Sequence, residues 1–159
     1  MALGSADERH LRRAIELAGL AREKGNHPFG SLLVDALGRI VLEAENTVVT
    51  SRDVTGHAEL NVVRTAVQQL DADLLSGATL FASTESCAMC SGAIYWSGIS
   101  RVVFALAAET LREMITDPTG ASTLALSSRE VLARGGRSVA VSGPHLVAEA
   151  AAVHEGFWA

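Results

Sequence analysis

The apolar positions of the chain follow helical spacing in some segments and strand-like alternation in others. Helical spacing predicts a first helix from Ser5 to Gly25, and Ser5 with Glu8 predicts a capping box at its start. The apolar side of this helix consists of Leu11, Ala14, Ile15, Ala18 and Ala21. The segment 31–46 has the sequence SLLVDALGRIVLEAEN, which predicts a β-hairpin with its turn at residues 35–38.

The later segments continue to alternate between the two patterns. Strands are predicted at 77–83, 101–106 and 137–143, and helices at 55–70, 88–96, from Ser127 or Ser128 to Arg134, and at 145–154. Strands that alternate with helices predict an α/β fold, in which a mixed sheet is covered by helices on both faces. Because no repeat or linker interrupts this order, we expect a single domain over residues 1–159.

Composition and charge narrow the class of protein. Apolar residues make up 48% of the 159 residues, which is enough for a sizeable core. The net charge of -5 disfavours a nucleic-acid surface, which normally carries a basic patch. No apolar run is long enough for a transmembrane helix, and the N-terminal residues lack the apolar core of a signal peptide. We therefore expect a cytoplasmic protein without a membrane partner.

The two cysteines of the chain, Cys87 and Cys90, form one CxxC motif. They follow a predicted strand and begin a predicted helix, while His57 lies near the start of another. A helix N-terminus favours the thiolate form of cysteine. Two parallel helices with adjacent N-termini would bring the three side chains together. One imidazole and two thiolates are zinc ligands, and they leave the fourth tetrahedral position open.

Glu59 lies two residues after His57, about 200° further round a regular helix. At that angle it does not share the ion in the same way, but it can lie beside a water molecule on the ion. This arrangement is typical of a hydrolytic zinc site, in which a hydroxide attacks and a carboxylate transfers the proton.

Two other interpretations of the cysteines stay open at this point. A CxxC motif also occurs in redox proteins, although such a pair has no need of a nearby His-x-Glu. A structural zinc would require a fourth ligand, and the chain offers His10, His27, His145 and His154. None of these four has ligand spacing to the CxxC motif, so we expect them to be ordinary surface or packed histidines.

An HxE motif followed by CxxC after a strand resembles the signature of the zinc-dependent cytidine deaminase superfamily. Three segments are similar, in order and spacing, to guanine deaminases, fungal-type cytosine deaminases and tRNA adenosine deaminases: HPFGSLLVDALGRIVLEAEN, TGHAELNVVRTA and LFASTESCAMCSGAIYWSGISRVVFAL. The similarity extends from Leu11 to Leu106. One departure is Ser86, because the family usually has proline there. Serine is a good N-cap residue, so the zinc site is still expected.

The resemblance implies a three-layer α/β/α fold with a five-stranded mixed sheet, normally in a homodimer. It implies one zinc ion per chain, with His57, Cys87 and Cys90 as ligands and Glu59 as the proton shuttle. It also implies a set of residues that contact the substrate: Phe29, Asn46, Ala58, Ser86, Asp117, Glu155 and Trp158. The chain retains all four residues required for catalysis, His57, Glu59, Cys87 and Cys90. We therefore expect an active enzyme rather than a binding module that has lost its activity.

The implied reaction is the hydrolytic deamination of a small free base or nucleoside, with release of ammonia. We expect guanine first and cytosine second. A tRNA substrate is less expected, because the segment LAAETLREMITDPTGAS is acidic and Lys24 is the only lysine. The tail AAAVHEGFWA either covers the bound base, through Glu155 and Trp158, or only pins the chain end to the core.

Overall fold

The computed structural model describes residues 2–121 and 123–158. The elements follow one another in the order α1 (Ser5–Glu23), β1 (Gly30–Val34), β2 (Ile40–Glu45), α2 (Val48–Ser51), α3 (Ala58–Gln69), α4 (Ala72–Ser76), β3 (Thr79–Thr84), α5 (Ala88–Ser97), β4 (Arg101–Leu106), α6 (Ala108–Met114), α7 (Ser128–Ala133), β5 (Ala140–Ser142) and α8 (Val147–Ala152). Among the described residues, no helix combines the length and the apolar character needed to cross a bilayer.

The five strands form one mixed sheet in the order β2-β1-β3-β4-β5. Strand β1 is antiparallel to both of its neighbours, whereas β3, β4 and β5 are parallel to one another. The central strands are buried along almost their whole length, while β2 is an edge strand and is partly exposed. The predicted fold class, a five-stranded mixed sheet within an α/β fold, is confirmed.

Alternate residues of the strands point into two apolar cores on opposite faces of the sheet. One core joins the sheet to α1, α6 and α8 through residues such as Leu32, Phe81 and Val103. The other joins the sheet to α3, α4 and α5 through residues such as Leu33, Leu80 and Phe104. The period of two along each strand therefore produces three layers, helices over sheet over helices.

Several local predictions need correction. The capping box at Ser5 does not form, because the helix begins at Ser5 itself and Gly4 occupies the N-cap position. The predicted helix at 55–70 begins only at Ala58, which leaves His57 as its N-cap residue. The short helices α2, α4 and α6 were not expected, because they contain too few residues to show a period. The predicted cap of α7 is confirmed and belongs to Ser127.

Gly30 marks a close approach between the sheet and α1. A Cβ atom at Gly30 would lie 2.3 Å from the Ala14 carbonyl oxygen and 2.5 Å from the Leu17 Cβ. We expect Gly30→Ala to lower the free energy of unfolding by about 1–3 kcal/mol through overpacking. Gly19→Ala in α1 is a matched control, because nothing lies near the added methyl group and alanine favours the helix by up to about 1 kcal/mol. Denaturant unfolding measures both changes, and a Gly30→Ala variant as stable as the parent would contradict this packing.

Candidate zinc and active site

His57 is held at the start of α3 by a loop fastened to the end of β2. Its backbone is extended, with φ -69° and ψ 146°, so its side chain leaves the helix at the N-terminus. The Asn61 side-chain amide donates hydrogen bonds to the Glu45 carbonyl at 3.0 Å and to Thr47 Oγ1 at 3.1 Å. The Thr47 N–H donates to the Gly56 carbonyl at 2.8 Å. These bonds fix the residue before His57 against the sheet.

Cys87 and Cys90 lie at the start of α5, directly beyond the end of β3. Cys87 is the N-cap residue, with an extended backbone like that of His57, and Cys90 is fully buried in the first turn. The Ser91 N–H donates to the Cys87 carbonyl at 2.9 Å, and the Ser91 hydroxyl donates to the Ser86 carbonyl at 3.3 Å. The helix thereby holds the two thiols in one orientation.

The three side chains meet at a single point, as the sequence predicted. His57 Nδ1 lies 3.6 Å from Cys87 Sγ and 3.5 Å from Cys90 Sγ, and all three atoms lie within 4.8 Å of one another. A tetrahedral zinc with bonds of about 2.3 Å to sulfur and 2.0 Å to nitrogen places those ligand atoms about 3.5 Å apart. The donor set and its spacing therefore fit zinc.

The charges of the cluster suit a divalent cation. Hydrogen bonding from the Cys90 thiol and from His57 lowers the pKa of Cys87 to about 4, although burial opposes this shift. The bond to Cys87 and burial both raise the pKa of Cys90. Cysteine binds a metal ion as the thiolate, so the low pKa of Cys87 favours binding of a cation, and a bound cation would neutralise the charge of the sulfur atoms.

Glu59 lies beside the cluster without joining it. It is the second residue of α3 and only 7% exposed. Burial raises the pKa of Glu59, and the neighbouring Cys87 charge raises it further, whereas its own backbone N–H and the charge of His57 lower it. Among the described residues, only His57, Cys87 and Cys90 form a group with metal-ligand spacing. This position agrees with the expectation that Glu59 does not share the ion.

Three of the predicted substrate contacts offer polar groups, and two of them, Ala58 and Ser86, directly adjoin the predicted ligands His57 and Cys87 in the chain. Asn46 is 1% exposed; its Oδ1 accepts a hydrogen bond from the Val48 N–H at 3.1 Å, whereas its Nδ2 has no partner among the described residues. The Ser86 hydroxyl is also buried; it lies near enough to the Glu59 carboxylate to lower the pKa of Glu59, but it does not reach ordinary hydrogen-bond geometry with any described residue. Ala58 is the first residue of α3, where amide N–H groups have no partner within the helix.

The C-terminal tail docks on its own chain against His27 and Phe29. The Trp158 ring lies 5.6 Å from the His27 ring and 6.1 Å from the Phe29 ring. The Trp158 Nε1–H donates to His154 Nδ1 at 3.1 Å. Burial lowers the pKa of His27, and the charge of His57 lowers it further.

Other predicted site residues have different surroundings. Asp117 lies in the loop after α6, where its Oδ1 accepts hydrogen bonds from the Thr119 N–H and hydroxyl at 2.9 and 2.7 Å. Glu155 is exposed. Its backbone carbonyl oxygen accepts a hydrogen bond from the Arg22 guanidinium at 2.7 Å. The roles of Asp117 and Glu155 toward a substrate stay predictions.

The four histidines considered as a fourth ligand lie outside the cluster. His10 packs on Phe81, and His145 contacts the Ser142 hydroxyl. His154 contacts Thr84 and Trp158, and His27 contacts the tail aromatic rings. Within the residues that the structure describes, the ligand set therefore has three members, which leaves one tetrahedral position for water or substrate.

Sequence reasoning missed His154 and Glu85. His154 is 1% exposed, and its Nε2 lies 3.3 Å from the hydroxyl of Thr84, the last residue of β3. The Glu85 carboxylate accepts hydrogen bonds from the first residues of α6 and α7, in the C-terminal third of the chain. The only sequence signal for Glu85 was its position two residues before Cys87, and nothing in the sequence distinguished His154 from the other histidines.

Comparison with known proteins places these features in one family. The sequence pattern of the cytidine and deoxycytidylate deaminase zinc-binding region matches residues 4–106. A probable cytosine deaminase of Schizosaccharomyces pombe is 40% identical over 156 residues, which cover 98% of this chain and 94% of that protein. The guanine deaminase of Bacillus subtilis is 41% identical over 99 residues, or 62% of this chain and 63% of that protein.

A solved structure also has the same fold. It comes from studies of A-to-I editing by tRNA:A34 deaminases at the wobble position of transfer RNA, and it superposes with a TM-score of 0.72 at 26% identity. The match covers 92% of this chain and 99% of that one. The three-layer arrangement is therefore shared along nearly the whole length of both chains.

The buried His154 makes stability depend on pH. Burial lowers the pKa of His154 from 6.5 to about 4, and the charge of Arg22 adds to this shift. The His154 imidazole thus binds a proton less readily in the folded state than in the unfolded state. The neutral imidazole therefore makes its full contribution to stability above pH 6.5, and this contribution declines as the pH falls toward 4. The loss amounts to at most about 3 kcal/mol.

Urea unfolding between pH 7.5 and 4.5 tests this expectation. The parent protein should lose stability more steeply toward acid than a His154→Gln variant, which is less stable at pH 7.5 but has no imidazole to protonate. Acid loss of zinc affects both proteins and cancels in the difference. Parallel pH profiles for the two proteins would contradict a buried neutral His154.

Proposed function

The chain belongs to the cytidine and deoxycytidylate deaminase family of zinc-dependent aminohydrolases, and we propose that it deaminates a small free nucleobase by hydrolysis. The observation that carries this proposal is the three-ligand cluster with the Glu59 carboxylate buried beside it. In the reaction, water adds at the ring carbon that bears the amine, a C–O bond forms, the C–N bond breaks, and ammonia leaves.

His57, Cys87 and Cys90 are the residues that would hold the zinc ion. When bound there, zinc supplies the Lewis acidity that makes water nucleophilic near neutral pH. Glu59 accepts the proton of the attacking water at its carboxylate and delivers it to the leaving amine. The burial of Glu59 supports this role, since it excludes bulk water that would compete as proton donor.

The polar groups without partners support a role in orienting the base. The Asn46 amide is held by its bond to Val48, so its Nδ2 can donate to a ring carbonyl oxygen or nitrogen. The Ser86 hydroxyl and the Ala58 N–H can contact the ring or its carbonyl from the side of the metal. Phe29 and Trp158 form an aromatic wall, against which a planar ring can stack.

Two observations bear on which base is bound. The sequence alone favoured guanine. The B. subtilis guanine deaminase matches 62% of this chain, whereas the probable cytosine deaminase of S. pombe matches 98% and therefore includes the tail. Because Trp158 docks against Phe29, a predicted substrate contact, the tail can contribute to base selection. We therefore place cytosine ahead of guanine, and both ahead of a nucleoside or an adenosine within tRNA.

An inactive binding module is the principal alternative. Burying an unpaired carboxylate costs several kcal/mol, since the charge loses its hydration. Glu59 is 7% exposed and no cationic side chain forms an ion pair with it among the described residues. A protein without catalytic activity would have no use for such a costly group, so the position of Glu59 favours the enzyme.

We further propose that residues 1–159 act as one domain and that the protein is a cytoplasmic homodimer. The two apolar cores share one sheet, which supports a single domain. The free cysteines suit a reducing compartment. On α5, Trp96 is 85% exposed and Met89, seven residues before it on the same side, is 38% exposed. This surface suits a second copy of the chain.

An ammonia-release assay with free bases tests the proposed reaction. We expect turnover of cytosine, or of guanine, by protein that holds one zinc ion per chain. Glu59→Ala should keep the zinc and lose at least about 10²–10⁴-fold in activity, because proton transfer depends on this carboxylate. Elemental analysis provides the zinc control. Turnover of tRNA adenosine with no free base accepted would overturn the substrate proposal, and activity in Glu59→Ala would overturn the role of Glu59.

The homodimer is tested by analytical ultracentrifugation of two charge substitutions. Trp96→Glu should convert the dimer to a monomer, because it introduces a charge into the proposed contact. Leu37→Glu is the matched control, since Leu37 is 76% exposed in the β1–β2 turn and should not affect assembly. A parent protein that sediments as a monomer would reject the homodimer.

A further inference from the structure

The Glu85 carboxylate joins the loop before the metal ligands to the C-terminal third of the chain. Its Oε1 accepts hydrogen bonds from the Ser128 N–H at 3.0 Å and the Ser128 hydroxyl at 2.7 Å. Its Oε2 accepts a hydrogen bond from the Ala108 N–H at 3.1 Å. Both N–H groups belong to first residues of helices, α7 and α6, which have no acceptor within their own helices.

The backbone of Glu85 is fastened as well. Its N–H donates to the Leu106 carbonyl at 2.7 Å, which extends the pairing of β3 and β4 by one residue. Four hydrogen bonds therefore hold Glu85, and three of them reach an ionised acceptor, which makes them stronger than neutral bonds. Ser128 is fully buried, so water cannot easily replace its bonds to the carboxylate.

The next two residues carry the chemistry of the site. Ser86 supplies the buried hydroxyl without a partner, and Cys87 supplies the first thiolate. On the other side of this short segment, the bond from the Ser91 hydroxyl to the Ser86 carbonyl is longer, at 3.3 Å. The carboxylate of Glu85 is therefore the principal side-chain anchor immediately before the ligand.

We propose that Glu85 is a positioning residue for the zinc site: its carboxylate fixes the path of Ser86 and Cys87 by binding the first residues of α6 and α7. Ligand atoms at a metal site must be held to within about 0.5 Å, so loss of this anchor weakens the site without removing a ligand.

The inference concerns the zinc site and does not depend on which base is deaminated. Its test therefore uses metal binding, read out in two ways that need no turnover. Zinc affinity is measured by competition with a chromophoric chelator. The ligand geometry is read from the absorption bands of the Co²⁺-substituted protein, which respond to the positions of the two thiolates and the imidazole.

Glu85→Gln is the test variant, because the amide keeps the shape of the side chain but cannot accept from both helices. We expect its zinc dissociation constant to rise by about 10–100-fold, which is the range typical for loss of a residue that orients a metal ligand. We also expect the Co²⁺ bands to shift. Glu130→Gln is the matched control. Glu130 also caps α7, by accepting hydrogen bonds from the Ser127 N–H at 2.9 Å and hydroxyl at 2.8 Å, but it does not contact residues 84–87.

The control should lower the stability of the fold and leave the zinc affinity and the Co²⁺ bands unchanged. If zinc affinity and the Co²⁺ bands changed equally in Glu85→Gln and Glu130→Gln, the change would reflect a general loss of stability and the proposal would be overturned. If Glu85→Gln does not fold, Ser128→Ala removes a single donor to the same carboxylate and should produce a smaller change of the same kind. Unchanged zinc affinity and Co²⁺ bands in a folded Glu85→Gln or Ser128→Ala protein would also overturn it.

Discussion

The N-termini of α3 and α5 meet beside the ends of the sheet, and the whole site depends on this meeting. His57 and Cys87 are the N-cap residues of the two helices, and both have an extended backbone. Their side chains therefore leave the helices at the same end and meet beyond it. Packing of both helices against one face of the sheet holds the N-termini together, and the apolar core between them sets the distance between the ligands.

The site contains more buried polar groups than its own hydrogen bonds can satisfy. Glu59, Ser86 and Asn46 are buried residues with few polar partners: the Glu59 carboxylate has the Ser86 hydroxyl beside it, and the Asn46 Nδ2 has no hydrogen-bond partner among the described residues. Each such group costs the fold free energy, since it has lost its contacts with water. A ligand that supplies the missing partners recovers part of that cost. The incomplete hydrogen bonding therefore agrees with a binding site prepared for a polar ring.

Four consecutive residues at the end of β3 connect this site to the rest of the molecule. Thr84 contacts His154, which accepts a hydrogen bond from Trp158 of the tail. Glu85 holds α6 and α7, Ser86 presents its free hydroxyl, and Cys87 supplies a ligand atom. The C-terminal third of the chain, which lies beyond the matched residues 4–106, thus contacts Thr84 and Glu85, three and two positions before the predicted ligand Cys87.

The sequence by itself determined the chemistry and the class of fold. The HxE and CxxC motifs predicted the zinc ligands, and the alternating periods predicted the α/β layers, because both signals depend on the spacing of residues within one short segment. Only the tertiary structure decided that Glu85 binds Ser128, 43 residues away, and that His154 meets Thr84, 70 residues away. It also showed that the tail packs beside His27 and that Gly4 replaces Ser5 as a cap. These contacts leave no period in the sequence, since they arise only when the sheet brings distant segments to one edge.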